Sequence, residues 1–325
     1  MYGFRYGYAG RQRGVRRWGP IDYLFAAGEQ GLWLDPSDLS TLFQDTAGTI
    51  PVTAPGQTVA LGRDKSGRGN HLIQPVALSR PTLGRHPVGG RRNLLTYTED
   101  FSNAPWLKSS SPLVTLTNQG GGVWRLQAPA GNWGLRQERP VTGTHTFAID
   151  VKSSGAGLDG FTLMLSGSTF LGDRTATDQW ARYSFSGSNI GSGAVGIIRN
   201  SSQTAVDILI RLPQFEAGTI DTPYQRVTSD WDVVEAGKRD CWYLGFDGVD
   251  DFMVTAATLD LSATDKVTLF AGVQKFTDAA TGIVAEFSGN VSLNAGTFYL
   301  VNGDGSSNSR PWSTSSRGTV AATSS

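Results

Sequence analysis

Apolar and polar residues alternate along several stretches of this chain, and this period of two constrains the fold more than any other feature. Phe147, Ile149 and Val151 occupy every second position, as do Val206, Ile208, Ile210 and Leu212. Successive side chains of a β-strand point to opposite faces, so one face of each stretch would be buried. Clusters of Gly and Ser separate the stretches. The sequence therefore predicts an all-β fold built from antiparallel β-sandwiches.

The composition suits such a fold and limits the function. The 325 residues are enough for two domains, and the 41 glycines favour short strands joined by tight turns. The 28 Lys and Arg balance the 28 Asp and Glu, so nucleic acid is not an expected partner. No stretch predicts a signal peptide or a membrane span. The single cysteine, Cys241, excludes an intrachain disulfide and indicates synthesis in a reducing cytoplasm.

The first twenty residues form a basic, aromatic segment without an acidic residue. Such a segment has little to bury against itself and many groups that can dock on another surface. Because arginine pairs with carboxylates and stacks on aromatic rings, we expect residues 1–20 to be an extended arm that docks on another protein. The predicted docking residues are Tyr2, Phe4, Arg5, Tyr6, Tyr8, Arg11, Arg13, Arg16, Arg17 and Trp18.

Two short motifs lie far apart in the chain. Residues 64–71 read D-K-S-G-R-G-N-H, and residues 244–253 read L-G-F-D-G-V-D-D-F-M. Together they resemble the two opening signatures of the concanavalin A-like, laminin-G-like jelly roll. In that family the two motifs are usually near neighbours, whereas a long insertion separates them here.

The inserted segment has signatures of its own. It begins R-N-L-L-T-Y-T-E-D-F-S-N-A-P-W at residues 92–106 and ends P-Q-F-E-A-G-T-I-D-T-P-Y at residues 213–224. Both ends resemble a carbohydrate-binding-module-like β-sandwich that is common in phage tail and virion proteins. The resemblance implies two jelly-roll domains, one inserted in the other. The outer domain would comprise residues 21–90 and 227–325, abbreviated at its C-terminus, and the inserted sandwich residues 91–226.

The resemblance implies a setting more strongly than a chemistry. It points to a phage virion structural protein, such as a tail fibre, a tail-tip protein or a head/neck decoration. Such a protein is assembled in the host cytoplasm and resides in the virion. Its expected partners are neck, tail or capsid components and further copies of the same chain. A host-surface glycan is the candidate ligand.

The acidic residues form no familiar catalytic pattern. Glucanases on the concanavalin A-like fold carry a Glu-x-Asp-x-Glu run, which places carboxylates on one face of a strand. Asp230, Asp232 and Glu235 come nearest to such a run, but their spacing is wrong. We therefore expect a protein that is not an enzyme. Two alternatives stay open: a polysaccharide depolymerase whose carboxylates meet only in the fold, and a purely structural joint without a ligand.

Trp133 is the residue that we predict to contact sugar. Exposed aromatic rings stack on pyranose rings, and a few polar side chains fix the orientation of the sugar. Trp133 lies in the turn-like stretch A-P-A-G-N-W-G at residues 128–134, with Asn132 beside it and Arg136 close by. Trp106 and Trp180 lie in stretches that are more typical of a core. We expect an exposed Trp133 ring, with Asn132 and Arg136, to bind glycan.

Asp247, Asp250 and Asp251 cluster in the second motif. Laminin-G-like domains sometimes hold calcium near such loops, through oxygen ligands. Aspartates at strand ends also accept hydrogen bonds from nearby amides, and this is the interpretation that we favour. We expect no resident cofactor, with calcium near these three residues as the alternative. His71, in the first motif, is expected to stabilise its own loop.

One short helix is predicted, at residues 35–43. Asp35 is placed to cap it, and Pro36 suits its first turn. Leu39, Leu42 and Phe43 would then lie on one face.

Overall fold

A computed structural model describes residues 23–109, 114–165, 169–188, 193–202, 205–260, 268–274, 283–287, 297–302 and 312–317. Apart from α-helical residues 23–24, the regular structure of these residues consists of β-strands and two short 3₁₀ helices, so the all-β prediction is confirmed. Within these residues, no helix is long and apolar enough to cross a membrane.

The 3₁₀ helices lie at Leu39–Thr41 and Ala77–Ser79. The strands of the first half are β1 (Leu42–Phe43), β2 (Leu61–Gly62), β3 (Leu72–Ile73), β4 (Thr82–Pro87), β5 (Leu107–Ser109), β6 (Thr115–Gly120), β7 (Val123–Ala128), β8 (Gly131–Glu138), β9 (Thr144–Ser153), β10 (Gly160–Leu165) and β11 (Thr169–Phe170). The strands of the second half are β12 (Arg174–Thr175), β13 (Ala181–Ser188), β14 (Ala194–Ser202), β15 (Val206–Ala217), β16 (Gln225–Ser229), β17 (Asp232–Glu235), β18 (Asp240–Gly245), β19 (Val254–Thr255), β20 (Ile283–Phe287), β21 (Thr297–Asn302) and β22 (Trp312–Arg317).

The chain divides into two compact units. The first unit comprises Met1–Val52, Val59–Pro81 and Phe246–Ser325, and the second comprises Thr53–Thr58 and Thr82–Gly245. The domain boundaries that the sequence analysis places at residues 90 and 227 stay a prediction.

The second unit is a β-sandwich. One sheet has the strand order β11-β10-β14-β8-β5, with β12 also paired to β10, and the facing sheet has the order β13-β9-β15-β7-β6. Both sheets contribute to a single apolar cluster, with Leu135 and Leu163 from the first and Phe147, Ile149 and Ile208 from the second. The period-two pattern thus identified the inward face of these strands correctly, except at Leu212, which is half-buried because the register of β15 shifts between Arg211 and Gln214. Burial of this cluster removes apolar surface from water, which is the main favourable term in folding.

A third sheet of the second unit has the order β16-β17-β4-β18. Strands β16 and β17 form a hairpin, and β4 pairs with β18 in antiparallel register from Thr82 opposite Gly245 to Pro87 opposite Asp240. Strand β17 pairs with β4 in parallel. The β16–β17 turn of this sheet forms part of the pocket described below.

A buried polar network holds the two ends of the sandwich segment together. The Asn93 amide donates to the carbonyl oxygens of Pro213 and Gln225, and its Oδ1 accepts from the Leu95 and Phe215 amides. The Gln225 side chain accepts from the amides of residues 92 and 93 and donates to Glu235. Asn93 and Gln225 are fully buried. Buried polar groups need such partners, so this network explains the polar residues in the two end motifs.

The first unit contains a four-stranded sheet of order β1-β2-β3-β19 and a three-stranded sheet of order β20-β21-β22. The helix predicted at residues 35–43 is wrong, because only Leu39–Thr41 is helical and Leu42–Phe43 pairs with β2. Asp35 accepts hydrogen bonds from the Ser37 amide and hydroxyl, a local turn that competes with helix formation.

Candidate functional site

The structure buries Trp133, so the exposed ring predicted for this residue is wrong. Only 2% of Trp133 is exposed, and its ring belongs to the apolar cluster of the sandwich. The physical reason is that strand β8 already begins at Gly131, which gives Trp133 the same inward direction as Leu135. Its indole Nε1 has no hydrogen-bond partner in the described structure.

Asn132 and Arg136 alternate with Trp133 along β8 and therefore lie on the opposite face of the sheet. Asn132 is exposed, and Arg136 forms an ion pair of 3.0 Å with Glu138. The three residues therefore do not form one site around the ring. A glycan contact by Asn132 or Arg136 stays a prediction.

The other tryptophans divide between core and surface. Trp106 is buried, as predicted, and its Nε1 donates to the Tyr97 carbonyl at 2.9 Å. Trp180 is half-buried, with the Arg211 guanidinium 4.1 Å from its ring centroid, so the core position predicted for it is wrong. The predicted docking arm, residues 1–20, lies outside the described residues.

The loop at residues 64–71 is held by its own side chains. Burial raises the pKa of the Asp64 carboxyl, but hydrogen bonds from the Ser66 hydroxyl and from the amides of Trp33, Ser66 and Asn70 hold it below its usual value. His71 Nδ1 accepts from the Asp64 amide at 3.0 Å. The loop-stabilising role expected for His71 is confirmed.

The three aspartates of the second motif meet, with carboxylate oxygens within 4.8 Å of one another. Asp247 Oδ1 accepts from the amides of Val249, Asp250 and Asp251, and these hydrogen bonds, that of Val249 above all, lower the pKa of Asp247. Burial raises the pKa of Asp251, and the two neighbouring carboxylates raise it further. Because Asp247 already serves its own turn, the geometry suits the turn-capping interpretation. Calcium at these residues stays a prediction.

A pocket of about 250 Å³ opens in the second unit. It combines two aromatic residues with one basic and one acidic residue, which together offer apolar contact area and hydrogen-bonding groups. It is lined by Thr96, Tyr97 and Pro105 from the loop after β4, by Arg139 after β8, and by Ser229, Asp230 and Trp231 from the β16–β17 turn.

Tyr97 is held in an unusual backbone conformation at the rim of this pocket. Its φ of 50° lies in the left-handed region, which is rare for residues other than glycine and concentrates at functional sites. Its amide donates to the Thr228 carbonyl at 3.2 Å, and its carbonyl accepts from the Trp106 indole. The end motif at residues 92–106 therefore shapes one wall of the pocket.

Trp231 lies at one end of a row of aromatic rings. Its ring centroid is 6.5 Å from that of Tyr243, which is 5.2 Å from that of His86. Gly245 and Gly84 make this row feasible, because a Cβ at either position would collide with the Trp231 or Tyr243 ring. Burial raises the pKa of Tyr243, so its hydroxyl is neutral at physiological pH. The row extends the aromatic surface beyond the pocket.

Arg139 is the one cation that lines this pocket. Its Nη2 donates to Thr96 Oγ1 at 2.6 Å and to Gln137 Oε1 at 2.8 Å, both neutral acceptors. Its Nε is buried and has no partner in the described structure. Burial lowers the pKa of Arg139, but an arginine starts so high that it stays charged.

Sequence reasoning missed Tyr97, Arg139 and Trp231, because they come from three segments that meet only in the fold. In the sequence, Asp230 stands out only as part of the acidic run with Asp232 and Glu235. The motif at residues 92–106 is the one signal in the sequence that points to Tyr97, because this stretch resembles the start of a carbohydrate-binding-module-like β-sandwich.

No protein-family model and no curated protein matches this chain. Among solved structures, the apo CBM1 module of BiXyn10A is 15% identical, with a TM-score of 0.26 over 32% of this chain and 81% of its own. The CBM22-1 xylan-binding domain from Paenibacillus barcinonensis Xyn10C is 12% identical, with a TM-score of 0.27 over 41% of this chain and 91% of its own. The C-terminal family 22 carbohydrate binding module of Clostridium thermocellum Xyn10B is 15% identical, with a TM-score of 0.28 over 40% of this chain and 97% of its own. At these TM-scores, the likeness assigns no ligand to this chain.

Proposed function

We propose that this chain is a non-catalytic structural protein of a phage particle, and that its second unit binds host-surface glycans in the pocket between Tyr97 and Trp231. The observation that carries the glycan part is the pairing of two aromatic residues with Arg139 and Asp230 around one cavity of about 250 Å³. Aromatic faces supply apolar contact area for a sugar at small entropic cost, and charged side chains can hydrogen-bond its hydroxyl groups.

The row from Trp231 through Tyr243 to His86 supports binding of a chain of sugars rather than a single one. Rings spaced at 6.5 Å and 5.2 Å offer successive contact surfaces beyond the pocket. The glycines beneath two of the rings hold this surface close to the sheet.

Trp231→Ala tests the glycan part directly. Wild type is screened on an array of bacterial surface glycans, and the affinity for the best glycan is then measured by isothermal titration calorimetry. We expect Trp231→Ala to weaken binding by about tenfold or more, because a stacked aromatic contributes on the order of 1–2 kcal/mol.

Trp242→Ala is the matched control for this experiment. Trp242 is also half-buried in the same sheet, but it alternates with Tyr243 along β18 and so lies on the opposite face. Its ring contacts Arg85 at 5.4 Å. Equal losses in the two variants would contradict the proposed site. The absence of binding to any glycan would favour the purely structural joint, and release of reducing ends from a bound polysaccharide would favour the depolymerase.

The particle part rests on the resemblance of the two motif pairs and on the basic, aromatic arm at residues 1–20. We propose that the arm docks the protein on neck, tail or capsid components, in several copies. Replacing Arg5, Arg11, Arg13, Arg16 and Arg17 by Gln should abolish incorporation into particles, as measured by mass spectrometry of purified virions. Absence of the wild-type chain from purified particles would refute this part and leave the glycan part intact.

A further inference from the structure

We propose that the pocket selects an acidic sugar, whose carboxylate pairs with Arg139. This inference rests on the proposed glycan binding and deepens it by naming the chemical class of the ligand. It also assigns Arg139 a role in specificity.

The charge of Arg139 is only partly compensated by the protein: burial lowers its pKa, Asp230 raises it without a direct contact, and Arg91 opposes that effect. In the described part of the chain, Arg139 has no carboxylate at salt-bridge distance, and its hydrogen bonds run to the neutral Thr96 and Gln137 side chains. A half-buried cation without an acid loses hydration and gains little in return. A ligand carboxylate would supply the missing charge. The planar guanidinium also suits carboxylate geometry.

Arg91 shows the contrast, because its guanidinium is fully engaged. Its Nη1 donates to Asp230 Oδ1 at 2.7 Å, its Nε to the Asn93 carbonyl, and its Nη2 to the carbonyls of Leu94 and Leu95. Arg91 therefore neutralises Asp230, the one acid that lines the pocket. Arg139 is left as the surplus positive charge at this site.

The charge count favours a carboxylate over a phosphate. One surplus cation matches the single negative charge of a uronic acid. A phosphate monoester carries nearly two negative charges, more than one surplus cation can balance.

The test compares two disaccharides of the same linkage, one containing glucose and one containing glucuronic acid, by calorimetry on the full chain. We expect the glucuronic acid disaccharide to bind about tenfold more tightly at low salt. This preference should shrink as salt rises, because ions screen the charge pair. Salt dependence requires no variant, so it tests the inference even where a substitution disturbs folding.

Arg139→Gln should remove the preference for the glucuronic acid disaccharide over the glucose disaccharide, whereas Arg139→Lys should keep part of it. Arg174→Gln is the control, because Arg174 is exposed and its Nη1 donates only to the neighbouring Asp173 carbonyl. Circular dichroism and thermal unfolding establish that each variant is folded.

Equal binding of the two disaccharides by wild type would overturn the acidic-sugar inference and leave glycan binding standing. Tighter binding of the same disaccharide carrying a phosphate would overturn the carboxylate assignment. If neither disaccharide nor any arrayed glycan binds, the proposed function and this inference fall together.

Discussion

Trp133 and Trp231 both lie beside turns, yet they have opposite roles in the second unit. Trp133 follows the start of β8 by two positions, and its ring belongs to the apolar cluster between the two large sheets. Trp231 lies in the β16–β17 turn, is half-buried and lines the pocket. A tryptophan near a turn can therefore contact a ligand only if its strand does not direct the ring into the core.

Of the substitutions that test this comparison, Trp133→Ala is expected to have the largest effect on the free energy of unfolding. Removing a fully buried aromatic should lower the free energy of unfolding by about 3–5 kcal/mol, because it leaves a cavity. Trp231→Ala should cost about 1 kcal/mol and act mainly on glycan affinity. Urea denaturation of both variants measures the difference. A loss below about 1 kcal/mol for Trp133→Ala would mean that its ring is not in the core.

Asn93→Ala tests whether the polar network supports the loop that carries Tyr97. The substitution leaves the carbonyls of Pro213 and Gln225 and the amides of Leu95 and Phe215 without their partners. Unfolding free energy should fall by about 3 kcal/mol. Asn118→Ala, which removes only a turn hydrogen bond to the Gly120 amide, is the exposed control and should cost less than about 1 kcal/mol.

Gly245→Ala tests whether the position of the Trp231 ring in the pocket determines glycan affinity. A methyl group at residue 245 would collide with the Trp231 ring and displace it. Stability should fall by about 1–3 kcal/mol, and glycan affinity by about tenfold, since the ring would leave its position. Gly272→Ala is the control, because a Cβ there meets open space. Unchanged affinity in Gly245→Ala would show that the position of the Trp231 ring does not determine binding.

The smallest effect is expected from breaking the ion pair between Arg125 and Asp207. Unlike Arg139, Arg125 has a carboxylate at salt-bridge distance. Arg125 forms two hydrogen bonds with Asp207, and these bonds hold the pKa of that carboxyl below its usual value. The stabilisation is therefore present above the unfolded pKa of about 3.9 and is lost as pH falls through the lower folded pKa.

Asp207→Asn should cost about 1 kcal/mol at neutral pH, because Arg125 is partly exposed. The gap between wild type and variant should close below about pH 4. Thermal unfolding between pH 3 and pH 7 measures it. A gap that stays constant over this range would mean that the ion pair is not its source.

The sequence by itself determined the class of the fold and the inward face of its central strands. Phe147, Ile149 and Ile208 face the core because a strand places every second side chain on one side, a rule that needs no knowledge of neighbours. The hydrogen bonds within the loop at residues 64–71 were equally local, since Asp64 bonds to Ser66 and His71, whereas the bond from the Trp33 amide to Asp64 comes from a distant segment.

Tertiary structure alone decided which aromatic rings are accessible and which charged groups meet. The burial of Trp133 follows only from the start of β8 at Gly131. Residues 35–43 do not form a helix, because Leu42–Phe43 pairs with β2. Tyr97, Arg139 and Trp231 come together through the pairing of distant segments. The reason is physical: strand start and side-chain burial depend on long-range hydrogen bonds and packing, which no short window of sequence contains.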